Sequence, residues 1–140
     1  MLISAIFLAL LSGAAVTGLL TESRTIPSAG IIKGINVEVY WDAGCTQNVT
    51  SIDWGVPEAS EVVYKTIYVK NSGNAPLTLN MTVSGWTPSA AENYLTVSWD
   101  SEGASVAAGA VVQAVLSLDV SGSITGFSAF SFDMVFEGTG

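Results

Sequence analysis

The sequence predicts an all-β fold, a two-sheet sandwich of about seven antiparallel strands preceded by one hydrophobic N-terminal helix. Three observations lead there. Apolar and polar residues alternate with period two in short runs across residues 31–140, turn-forming residues separate those runs, and the first twenty residues carry no charge. Hydrophobic residues make up 49% of the chain and charged residues 11%, against roughly 25% charged in soluble domains. The uncharged N-terminus accounts for part of that deficit. Ser, Thr, Gly and Val dominate the remainder, a composition suited to strands and turns, and the spread of apolar residues excludes a disordered chain.

Residues 1–20 form one hydrophobic segment. Positions 2–11 (LISAIFLALL) are apolar except for Ser4, small residues from Ser12 to Ala15 follow, and the first charge is Glu22. Two readings of this segment stay open. As a secretory signal it offers an apolar core with Gly13 and Ala15 spaced for cleavage after Ala15, although no basic residue precedes it. As a retained helix, residues 2–20 at about 1.5 Å per residue nearly cross a hydrocarbon core of roughly 30 Å. Its small residues then suit helix packing in lipid or in a filament core. A buried helix of a cytosolic domain is the third alternative. Residues 21–30 (TESRTIPSAG) read as a polar linker.

The strands follow in order. Ile35, Val37, Val39 and Trp41 share one face of the first, and residues 49–54 predict a short second strand. Val63, Lys65, Ile67 and Val69 alternate with Tyr64, Thr66, Tyr68 and Lys70 in the third. Residues 71–74 (NSGN) predict a turn, because Asn and Gly tolerate positive φ. Leu77, Leu79, Met81 and Val83 then mark the cleanest one-sided strand. Leu95, Val97 and Trp99 predict another, and the even positions from Val112 to Val120 a longer one. Phe130, Phe132, Met134 and Phe136 close the series. Pro57 and Pro88 fall between runs, where they obstruct no ladder, and residues 89–93 predict at most one helical turn.

Charge and residue types exclude several functions. Four basic residues (Arg24, Lys33, Lys65, Lys70) against twelve acidic ones give a net charge of −8, a surface that repels phosphate backbones and argues against nucleic acid as a partner. With no histidine, a Ser–His–Asp triad and a Cys–His dyad cannot form, and the usual zinc sites lose a ligand type. The chain is therefore expected not to be an enzyme, and no cofactor or metal is assigned. A hydrolase would need paired carboxylates, of which Asp100 and Glu102 are the closest in sequence, and these read as a solvated turn. Calcium is the one cation with candidate oxygen ligands, Asp42, Asp53, Asp100 and Glu102, but no EF-hand spacing joins them. Cys45 is the sole cysteine and lies in a loop, so it is either idle or paired with another chain in an oxidising compartment. Sequons at Asn48 and Asn80 are candidate glycosylation sites. Of the four tryptophans, Trp41, Trp54 and Trp99 are expected in the core, and Trp86 partly exposed, in place of an exposed sugar-binding row.

The stretch from Ser51 to Gly55, followed by residues 63–79 with their Asn-Ser-Gly-Asn turn, resembles a strand–turn–strand segment of immunoglobulin-like domains in archaeal and bacterial cell-surface proteins. The whole layout is similar to archaeal pilins and archaellins, in which an apolar N-terminal helix precedes a β-sandwich head. No basic–Gly cleavage site precedes the apolar run here, so the resemblance carries architecture and location and no binding residues. It implies an immunoglobulin-like domain over residues 31–140, at the cell surface or outside the cell. The expected role is a non-catalytic structural or interaction protein, with a pilus-like filament subunit as its nearest comparison, whose partners are other copies, other surface proteins, or a membrane reached through residues 2–20 if uncleaved. A secreted or anchored module that binds carbohydrate or protein is the alternative.

Overall fold

The computed structural model describes Ser23, Arg24, Pro27 and residues 36–140. The hydrophobic segment 1–20, the helix expected within it, and most of the linker lie outside the described residues. Among the described residues no helix is long and apolar enough to cross a membrane.

The alternating runs form seven strands: β1 (Val37–Tyr40), β2 (Val62–Asn71), β3 (Leu77–Thr87), β4 (Leu95–Trp99), β5 (Ser105–Val106), β6 (Val111–Val120) and β7 (Ser131–Thr139). They make two antiparallel sheets, one of four strands in the order β1-β2-β6-β4 and one of three in the order β5-β3-β7. The fold is all-β and sandwich-like. A 3-10 turn, Ser89–Asn93, joins β3 to β4.

One expected strand is absent and another takes its place in the count. Residues 49–54 form no strand, and the ladder beyond β1 stops at a single bridge between Tyr40 and Asn48. The reason is local. The carboxylate of Asp53 accepts the Gly55 N–H at 2.8 Å and Gly55 has a φ of +75°, so the chain turns where the strand would have continued. The seventh strand is instead β5, two residues paired to the start of β3.

The centre of the core is the β2–β6 pair, where Ile67 faces Ala114 and Val69 faces Val112. Ile67, Ala114, Leu116 and Leu118 are completely buried, and Leu77 and Leu79 of β3 meet them from the other sheet. Each such Leu or Ile stabilises the fold by roughly 1.5–3 kcal/mol relative to exposure.

The turn at residues 71–74 forms without positive φ, contrary to the reason for which it was expected. Its determinant is Asn71, which is wholly buried. The side-chain amide of Asn71 donates to the carbonyls of Ala75 (2.7 Å) and Val106 (3.1 Å), and its Oδ1 accepts the Gly73 N–H. One side chain thus ties the β2–β3 turn to β5, and its burial is offset because every polar atom is paired. In β3 the register with β7 shifts between Ser84 and Thr87. Gly85, at φ +69°, sits at that shift, where a Cβ would lie 2.8 Å from the Asp133 carboxylate.

Candidate functional site

The two sheets are unequally closed. β6 has neighbours on both edges, whereas among the described residues β7 pairs only with β3. The apolar face of β7 carries Phe132, Met134 and Phe136, with Phe130 just before it, and all four are only half-buried. Residues 49–57 pass opposite this face as irregular chain. Between them lies an open groove of about 750 Å³ that reaches down to Leu95 and Val120, both nearly inaccessible. That volume is in the range of small-molecule clefts.

Aromatic rings dominate one side of the groove. The Phe132 ring lies 6.2 Å from Trp54, 4.5 Å from Trp86 and 6.1 Å from Phe130, the last nearly parallel. Among the described residues, Asp53 and Asp133 are the charged ones in its lining. The site is therefore apolar, acidic at its rim, and bordered by a strand edge that no strand among the described residues pairs with.

The tryptophans follow expectation in part. Trp54 is buried, and Trp41 and Trp99 pack half-buried against the core. Trp99 stands edge-on to Phe136 at 5.4 Å and donates its indole N–H to Glu102 at 2.7 Å. Trp86 is half-buried. They form no exposed row.

The four carboxylates considered for calcium are not brought together. Among the described residues no group of three His, Cys, Asp or Glu side chains is placed to hold a metal. Each of the four accepts local N–H groups instead: Asp53 from Gly55, Asp100 from Val115, Glu102 from Met81 and Trp99. Asp42 accepts the Thr46 hydroxyl and the N–H groups of Thr46 and Gln47, each at 2.9 Å for the amides. These bonds, the Thr46 hydroxyl first, hold its carboxyl below the usual carboxylate range.

Cys45 sits in the loop that Asp42 ties together, half-buried, at a φ of +56°. Beside it on β1, the Tyr40 hydroxyl donates to Glu38 at 2.6 Å, and this bond is the main reason its pKa rises from 10.0 to about 12. Asn48 is exposed at the same end, and Asn80 is half-buried on β3, paired with Glu137 of β7. Cys45 and the Asn80 sequon thus lie apart from the groove lining, whereas the Asn48 sequon runs into it through Val49 and Thr50. The groove itself was not expected from the sequence. The signal for it, large apolar residues alternating from Phe130 into β7 at Phe132, Met134 and Phe136, is identical to that of a closed core strand.

Fold and site together define an all-β, two-sheet protein with an apolar groove along one open strand edge. No protein-family model matches the chain, and neither a curated protein nor a solved structure matches it.

Proposed function

We propose that this chain is a non-catalytic, extracellular structural and interaction protein of the cell surface, a subunit of a pilus-like filament, built on an immunoglobulin-like domain. One observation carries the reading: among the described residues β7 has a strand on one edge only. In a constant-type immunoglobulin domain one sheet runs A-B-E-D and the other C-F-G. Here β1-β2-β6-β4 takes the first order and β3-β7 the places of C and F. The place of G, next to β7 and over the groove, has no strand among the described residues. A domain that leaves its core open along one edge is suited to receiving a strand from elsewhere, since main-chain pairing supplies affinity and the side-chain pockets specificity. The absence of histidine supports a non-catalytic role.

The test is to determine the mature N-terminus and inspect particles of the full chain by electron microscopy. Filaments or defined oligomers are expected. A chain that stays monomeric at all concentrations, with or without its N-terminal segment, overturns the assembly reading.

The second reading, a binding module, is favoured by the aromatic side of the groove, where Trp54, Phe130 and Phe132 offer apolar ring faces to a sugar or a peptide. A monomer that binds an oligosaccharide with quenching of tryptophan fluorescence supports it. Glycans at Asn48 and Asn80 and an intermolecular disulfide through Cys45 belong to the same extracellular proposal, and intact mass under non-reducing conditions tests all three.

A further inference from the structure

Resting on the assembly reading, we propose that the place beside β7, which no strand among the described residues fills, is taken by residues 2–11 of the apolar N-terminal segment of a second copy of this chain, laid along the strand edge with side chains in the groove.

Length, charge and spacing select this occupant. β7 offers a nine-residue edge. Residues 2–11 are ten residues without charge, proline or glycine, and at about 3.3 Å per residue the two match end to end. Charge disfavours the simplest alternative, a second β7 in the register centred on Val135. Two such strands paired antiparallel about Val135 would set Asp133 directly against Glu137, and like charges opposite one another destabilise a ladder. The rest of the body fares no better, because residues 36–140 hold eleven of the acidic residues and only Lys65 and Lys70 as basic ones. The segment 2–20 carries no charge, and the stretch that follows it brings Arg24 and Lys33 against the single Glu22. An uncharged strand with basic residues behind it is complementary to an acidic rim formed by Asp53 and Asp133. The polar residues 21–30, including Pro27, put a spacer between the segment and its own body, which suits it to reach a neighbour.

The groove accepts such a strand chemically. The half-buried Phe130, Phe132, Met134 and Phe136 present an apolar wall, and alternate residues of an incoming strand point into it while its backbone pairs with the free edge. The arrangement buries the apolar segment and closes the core in one event.

The experiment is made on the full chain in two parts. First, self-association is followed by light scattering for the parent chain, for Ile6→Asp in the segment and for Met134→Asp in the groove. Circular dichroism confirms that each body stays folded. Both variants are expected to lose the oligomer at concentrations where the parent is associated. Second, in a Cys45→Ser background, chains carrying Ala5→Cys, Phe7→Cys or Ala9→Cys are mixed with chains carrying Val135→Cys. A disulfide-linked pair of one chain of each kind is expected for at least one position. Oligomers that survive Ile6→Asp, or a mature chain that begins beyond residue 11 and still assembles, overturn the proposed occupant while leaving the assembly reading intact. A disulfide that forms within a third chain given both cysteines, while the mixed single-cysteine chains stay unlinked, overturns it too. Absence of association in the parent removes both.

Discussion

β6 and β7 read almost alike in sequence, yet they end in opposite circumstances. Both alternate large apolar residues with polar ones. In β6, Ala114, Leu116 and Leu118 are wholly buried, because β2 and β4 flank the strand and the second sheet covers its inner face. In β7, Phe132, Met134 and Phe136 remain half-buried, because one flank has no strand among the described residues and irregular chain stands opposite. Alternation reports which face of a strand is apolar. It does not report whether anything covers that face.

Substitutions at the two strands test this contrast most directly. Leu116→Ala is expected to cost about 2–5 kcal/mol in urea unfolding, as for other buried leucines. Asn71→Ala, which removes the donor to Ala75 and Val106, is expected to cost about 1–3 kcal/mol. Met134→Ala in the dissociated chain is expected to cost only about 1 kcal/mol, since little burial is lost. An equal cost at Leu116 and Met134 would break the comparison. A cost at Met134 that grows on assembly would sharpen it.

The smallest effects lie at the β1 end, away from both strands, and concern pH. The Asp42 carboxyl is held below 3.8 by its hydrogen bonds, so its contribution is complete above that value and is lost as pH falls through the folded pKa. Asp42→Asn is expected to remove this acid-sensitive step from a denaturation curve. Tyr40 works in the other direction. Its pKa is raised from 10.0 to about 12, so its contribution is complete below pH 10.0 and is lost as the pH rises towards about 12. Tyr40→Phe is expected to flatten that alkaline limb, followed by circular dichroism.

The legible parts of this fold are those in which one strand's own residues decide the outcome. Leu77, Leu79 and Met81 announce β3, and the long run ending at Val120 announces β6. Residues 49–54 mislead because Ile52 and Trp54 imitate a strand while Asp53 and Gly55 make a turn. β5 is too short for any period to register. The buried role of Asn71 is invisible because its partners, Ala75 and Val106, are backbone carbonyls set by the fold. The groove is hidden for a related reason: it depends on what stands beside and opposite β7, and no residue of β7 encodes that.

Gly138, near the end of β7, lies just past the groove, whose lining on this strand stops at Phe136. A Cβ there would lie 2.7 Å from a Leu77 methyl and 2.9 Å from a Val37 methyl, so any larger residue forces one of them to shift. Val37 belongs to the opposite sheet. Glycine therefore acts as a clasp, letting β7 close against β1 at one end while the same strand stands open over the groove at the other.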